Sequence, residues 1–212
     1  VIFLFSISSL LGADWPMWGK DGSRNMVSDE KKITFDFVAG EMSDDEVVDM
    51  KTTKNLRWVA KLGSQAYGNV TIGNGCVFVG TNNESPRDPG KKGDRGVVMC
   101  LDEKSGELKW QLVIPKLGAG KVSDWEYIGI CSSTAIDGDK VYVVTNRCEV
   151  VCLDIHGLTN GNDGPFKDEA SYIKPKGMSD VLNEKLDADI LWMYDMRDEL
   201  GVFPHNVTSS SP

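Results

Sequence analysis

The chain has 212 residues, 41% of them hydrophobic and 26% charged, the balance of a folded globular protein and not of a disordered one. Its formal net charge of −9 argues against a nucleic-acid binder, because neutralising phosphates needs a basic surface. No stretch sustains the roughly 20 apolar residues of a transmembrane anchor.

The first residues, Val1-Ile2-Phe3-Leu4-Phe5, stay apolar through Ile7, Leu10 and Leu11 to Gly12-Ala13, then turn polar at Asp14. A short apolar core ending in small residues is the back half of a secretory signal peptide. Residues 1–13 are therefore read as its remnant, and the protein is expected in the periplasm or secreted, with no transmembrane anchor in the mature chain. Beginning with Val1 inside that run and stopping at Ser211-Pro212, the sequence reads as a fragment. Residues 14–53 form an irregular segment expected to lie on the main body, with Trp15 and Trp18 packing their rings there. Within it, Ile33, Phe35 and Phe37 alternate as in a strand over 31–38. The acidic run 41–51 suggests a short helix or a solvated loop; it lacks the spacing and central Gly of a calcium loop.

From Lys54 onward a repeat takes over. Val97-Val98-Met99-Cys100-Leu101-Asp102 returns as Glu149-Val150-Val151-Cys152-Leu153-Asp154, 52 residues on, and Trp58 and Trp110 share that spacing. A second register aligns Val70–Thr81 with Thr134–Thr145 at a spacing of 64, and Asn69 with Ser133, a series that Ser211 continues. Each copy is a strand, a Gly-containing turn and a β-branched strand. A unit of this length with several short strands fits one blade of a β-propeller. The expectation is an all-β chain: a partial β-propeller of four-stranded antiparallel blades, about two complete ones plus flanking strands, over 54–212. The first blade takes strands near 67–72, 76–81, 96–102 and 107–114; the second takes 131–136, 140–145, 148–154 and 190–195. A lone closing strand, 55–61, precedes them, and a third blade begins near Val207. In such a meander, loops 82–95, 115–130 and 196–206 share one face. The insert 155–189 leaves from the opposite face.

The repeat residues Trp58, Asp102, Gly106, Trp110, Asp154 and Trp192 are architectural in this reading. Each Trp wedges between neighbouring blades with its N–H on a carbonyl, Gly106 supplies a positive φ, and Asp102 accepts hydrogen bonds from turn amides. The shared loop face is the candidate binding surface for a protein or small-molecule ligand, through Asn82, Asn83, Arg87, Arg95, Trp125, Tyr127 and His205.

Cys100 through Trp110, with Asp102, Ser105-Gly106 and Trp110, resembles the repeat of pyrroloquinoline-quinone (PQQ)-type propellers; the second copy keeps Cys152-Leu153-Asp154 before the insert interrupts it. With Trp15–Ser28, the chain is similar to exported bacterial PQQ-like repeat proteins of planctomycete-like type. The resemblance implies one of two functions. One is a scaffold that keeps the blades without the cofactor. The other is a quinoprotein dehydrogenase oxidising alcohols or sugars with PQQ and calcium. For the second, an aromatic floor and oxygen ligands come from Asp124, Trp125, Glu126 and Tyr127, or from Asn82-Asn83-Glu84 with Asp88 and Asp94. The adjacent Cys-Cys pair common in quinoprotein alcohol dehydrogenases and a CxxCH haem motif are both missing from this sequence. Gly118-Ala119-Gly120-Lys121 lacks P-loop spacing, and no Gly-x-Ser-x-Gly elbow occurs. His156 and His205 are assigned to opposite faces and share no metal. The five cysteines support no assigned disulfide, and Cys100 and Cys152 are expected as small buried hydrophobes. The expected function is a non-catalytic binding or assembly scaffold with no cofactor and no catalytic or metal-ligating residues assigned.

Overall fold

A computed structural model of the chain describes residues 13–31, 33–118, 125–174, 182–183 and 185–212. The apolar leader lies outside these residues apart from Ala13, as does Asp124. Two four-stranded antiparallel sheets dominate. The first contains β1 (Thr71–Gly73), β2 (Cys76–Asn82), β3 (Arg95–Asp102) and β4 (Leu108–Pro115). The second contains β5 (Ala135–Asp137), β6 (Lys140–Val144), β7 (Glu149–Asp154) and β8 (Ile190–Asp195). Two short helices, α1 (Glu169–Tyr172) and α2 (Met196–Leu200), accompany the second sheet. The chain is all-β, and the strands fall where the two repeat registers place them.

The copies agree in detail outside their hairpin turns. The hairpin turns differ, Asn74 and Gly75 both taking positive φ between β1 and β2 and Gly138 alone between β5 and β6, but the strands match. Pairing shifts register between Cys100 and Leu101 in the first sheet and between Cys152 and Leu153 in the second. Phe78 and Trp110 have ring centroids 5.8 Å apart at 52°; their counterparts Tyr142 and Trp192 are 6.1 Å apart at 51°.

Period-two alternation gives the first sheet two apolar faces. Phe78, Val98, Cys100, Trp110, Leu112 and Ile114 point towards the second sheet and bury against Ile136, Val141, Val143, Val151 and Leu153. Val77, Val79, Val97, Met99 and Leu101 point the other way, under Trp58, Ala60 and Leu62. Segment 55–61, expected as a strand, forms no strand ladder: β4's outer edge is taken by residues 186–188, and the segment instead applies alternate side chains to the sheet face. Trp58 Nε1 donates to the Glu103 carbonyl at 2.9 Å, and its ring covers Gly106. Trp110 repeats the arrangement one sheet later, donating to the Ile155 carbonyl at 2.7 Å with its ring over Gly157. Both donor–acceptor pairs are 45 residues apart.

The inner strands are linked through equivalent residues. Asn69 N donates to Ser133 Oγ at 2.8 Å, and Ser133 N donates to Ser211 Oγ at 3.0 Å. The hydroxyls of Thr71 and Thr134 are hydrogen-bonded to each other. Trp15 bridges Ile72 on β1's free edge, and the Pro16 carbonyl accepts from Ile136 N on β5 at 2.8 Å.

Two local expectations are corrected, and one alternative is decided. The described residues of 31–38 make no strand beyond a single bridge, Val38 to Lys54, and Phe35 stands 90% exposed. The acidic run takes the solvated-loop alternative, as a bridged turn, Met42 to Val48, followed by a 3₁₀ turn at Met50–Thr52. Trp18 stays largely exposed beneath the Arg24 guanidinium instead of packing inward. The insert departs further. It leaves from the expected end, but Gln111 N donates to the Leu186 carbonyl and Ala188 N to the Gln111 carbonyl, so it runs along β4's open edge. From there Asp187 and Ile173 reach Lys91 and Arg95 of the 82–95 region, at the far end of the sheet. An unpaired strand edge needs partners for its amides and carbonyls, and the insert supplies them.

The Trp–Gly seats predict a graded response to adding one methyl group. At Gly157 a Cβ would sit 2.8 Å from Trp110 Cγ and Cδ1 at φ +60, whereas at Gly138 (φ +56) it meets nothing within 4 Å. Gly157→Ala should cost about 2–4 kcal/mol and Gly138→Ala about 1–2, because only the first adds a clash to the left-handed backbone cost. Urea unfolding of the two variants checks this; equal losses would contradict the seat.

Candidate functional site

At the end of the sheets where 82–95 emerges, the expected binding residues are knitted into one another. Asn82 Nδ2 donates to Ser64 Oγ at 2.9 Å and to the Tyr127 carbonyl at 2.5 Å, while its Oδ1 accepts from Ser64 N and Glu84 N. Asn83 Nδ2 donates to the Lys91 and Gly93 carbonyls. Arg87 caps the Ser85 and Lys61 carbonyls, and Arg95 caps those of Lys92 and Ile173. Burial lowers both guanidinium pKa values. Tyr127 is held through its amide by Asp94 Oδ2 at 2.8 Å. Of the expected set, Trp125, 53% exposed, and the exposed His205 present open side chains. His156, also exposed, sits at the root of the insert.

Two buried ionic groups occupy the same end, and sequence reasoning had not singled them out. Lys91, 5% exposed, bonds Asp88 at 2.6 Å and Asp187 at 2.9 Å. Glu149, 1% exposed, takes Arg147 at 3.0 Å, Arg197 at 3.1 Å, the Tyr172 hydroxyl at 2.5 Å and the Thr145 hydroxyl at 3.1 Å. Full burial, with the Glu149 carboxylate beside it, holds the Tyr172 hydroxyl well above its usual pKa. Arg147 also lies over the Tyr172 ring, 5.3 Å from its centroid. The repeat carried a signal for Glu149: its counterpart 52 residues earlier is Val97, so a charge stands where the strand pattern buries a side chain.

A half-open groove of about 960 Å3 lies on the other side of the first sheet, lined by Met42, Val47, Met50, Trp58, Leu62 and Glu84. No motif announced it.

Two of the carboxylates offered for a quinone and calcium site have other partners. Asp88 pairs with Lys91, and Asp94 Oδ2 takes the Tyr127 amide and lies 3.9 Å from Lys116 Nζ, while Asp94 Oδ1 is buried without a hydrogen-bond partner. The Trp125 carbonyl accepts from Lys116 Nζ. The carboxylates that do converge are elsewhere. Asp154, Asp163 and Asp189 each bring one oxygen within 4.8 Å of the others, at the two roots of the insert. Among the described residues, all five cysteines are free, and Cys100 and Cys152 are fully buried. No helix among the described residues is long and apolar enough to cross a membrane.

No protein-family model matches the chain, and no curated protein matches it.

The Glu149 cluster has a measurable weight. Glu149→Ala leaves Arg147, Arg197 and the Tyr172 hydroxyl without their common acceptor, and removing one partner of a buried ion pair costs about 3–5 kcal/mol. Chemical denaturation should show a loss in that range. A loss below about 1 kcal/mol would mean the cluster is solvated in practice.

Proposed function

We propose that the two sheets are neighbouring blades of a β-propeller, and that the protein is an exported, non-catalytic scaffold for binding or assembly. The observation that carries this is the head-to-tail series of tryptophans. Trp58 docks on the first sheet as Trp110 docks on the second, each through a carbonyl one residue after the repeat Asp. Trp192 is next in the series; it is 39% exposed beside Tyr142, on the face equivalent to the one the first sheet buries. A contact that uses different surfaces on its two sides propagates, and a constant rotation closes it into a ring. Linkage of the inner strands through Asn69, Ser133 and Ser211 is what a common axis would require.

The scaffold reading is favoured over a quinoprotein dehydrogenase by two of the loop-face carboxylates, Asp88 and Asp94, which pair with Lys91 and with the Tyr127 amide. A layer whose asparagines and arginines hold backbone carbonyls is rigid, and a rigid layer presenting Trp125 and His205 suits recognition of a protein or small-molecule ligand across 82–95, 115–130 and 196–206. No nucleic-acid role is proposed for a chain of net charge −9. Placement in the periplasm or outside the cell rests on the apolar leader alone.

Two measurements test this. Titration with PQQ and calcium should give no quinone uptake and no dye reduction with alcohols or sugars; tight quinone binding would replace the scaffold by the dehydrogenase. Sedimentation of the purified chain should reveal self-association through the Trp192 face, shifted towards monomer by Trp192→Asp. A monomer with a sharp unfolding transition in the unaltered chain would count against neighbouring-blade packing.

A further inference from the structure

The repeat gives Asp154 an internal control. Its counterpart Asp102 has its carboxylate enclosed by donors: Oδ1 accepts from Lys104 N at 3.0 Å, Ser105 N at 2.9 Å and Ser105 Oγ at 3.1 Å. Those hydrogen bonds, the Ser105 amide first, hold its pKa below the usual carboxylate value. In both sheets the amide of this Asp closes the same backbone bond, Asp102 N to the Glu107 carbonyl at 2.8 Å and Asp154 N to the Asp189 carbonyl at 3.0 Å. Around the carboxylate, however, the second copy differs. Asp154 Oδ1 keeps one amide donor, His156 N at 2.6 Å, and the serine-glycine turn is replaced by Asp163 and Asp189.

Three carboxylates within 4.8 Å of one another repel unless a cation or protons sit among them. None of the ion pairs formed among the described residues involves these three; the nearby Lys167 ammonium is turned to the Asn162 carbonyl and side-chain oxygens. Asp189 points to the missing charge. It is 0% exposed, its Oδ2 is fixed by the Asp163 amide at 2.8 Å, and its Oδ1 is buried with no hydrogen-bond partner. Buried polar atoms without partners are rare in folded proteins, and an ion is one of the few things that accounts for one.

We propose that Asp154, Asp163 and Asp189 bind a calcium ion that clips the base of the 155–189 insert to the end of β7. The donor set is all oxygen, with no His or Cys, which selects a hard cation over zinc or copper. Asp163 is exposed and opens the site to solvent, while Asp154 and Asp189 anchor it to the strand ends. The ion does for Asp154 what the Ser105 hydroxyl and two amides do for Asp102. The site lies on the insert, apart from the 82–95 loop, and does not depend on the propeller or scaffold reading.

The test uses the whole chain stripped with EDTA. Calorimetric titration with calcium chloride should give one equivalent bound, with a rise in Tm and slower tryptic cleavage after Lys167 and Lys185. Asp163→Asn, at an exposed position outside the core, should keep the fold and weaken calcium at least about tenfold by removing one of three ligand charges; Asp189→Asn should do the same. Magnesium should bind more weakly than calcium. The proposal is overturned if millimolar calcium produces neither heat nor a Tm shift, if Asp163→Asn retains full affinity, or if magnesium binds more tightly. A calcium-indifferent chain would mean that Asp189 instead shares a proton with its neighbours.

Discussion

The structure depends on one interaction made twice: an indole N–H given to a carbonyl in the next sheet, with the ring lying on a glycine that has no side chain to keep it out. Trp58 meets Glu103 and Gly106; Trp110 meets Ile155 and Gly157. The indole buries more area than any other side chain, and its single donor fixes where the ring can go, so the contact supplies both the packing and the alignment. Glycine at positive φ is what lets the turn come that close. Because each sheet offers a Trp on one side and a carbonyl with a glycine on the other, the first sheet is covered on both faces while the second presents Trp192 and Tyr142 half-open.

The charged groups follow from what that packing leaves over. Strand ends and the outer edge of β4 have amides, carbonyls and charges that no neighbouring strand satisfies. Lys91 with Asp88 and Asp187, and Glu149 with Arg147 and Arg197, are buried only because each charge has at least one partner of opposite sign within about 3 Å. Such networks add little stability over apolar residues of the same volume, but they penalise every arrangement in which one partner is lost. They therefore hold the insert and α2 to particular places.

How much of this was legible in the sequence depended on whether a residue obeyed the repeat. The spacings of 52 and 64 set out β1–β3 and β5–β7, and the alternation around Trp110 and Trp192 set out β4 and β8, because period-two burial is a local property of the chain. Segment 55–61 has the same alternation, yet it pairs with nothing; alternation reports which side chains are buried, not whether the backbone finds a partner. The insert's course along β4 could not be read, because the demand for it comes from Gln111's unpaired backbone and not from any residue within the insert. Gly157 was passed over as the counterpart of Gly106 since it follows its Asp one position sooner. The loop-face asparagines and arginines looked available by type; their partners are carbonyls, which no side-chain pattern records.

The insert also shows what a long connection costs against what it gains. In the first sheet, β3 and β4 are joined by residues 103–107; in the second, β7 and β8 are joined by 155–189. Loop-closure entropy grows only as the logarithm of length, so this lengthening costs about 2 kcal/mol. Two backbone hydrogen bonds to Gln111, the Asp187 carboxylate on buried Lys91 and the apolar contacts of Tyr172 and Ile173 are together large enough to offset that. The extra chain is thus thermodynamically affordable as an edge cover. Among its described residues, an unbalanced feature lies at its roots, where a donor-rich turn gives way to three neighbouring carboxylates, one of which, Asp189, has a buried oxygen with no partner. Three carboxylates this close call for a cation or shared protons among them.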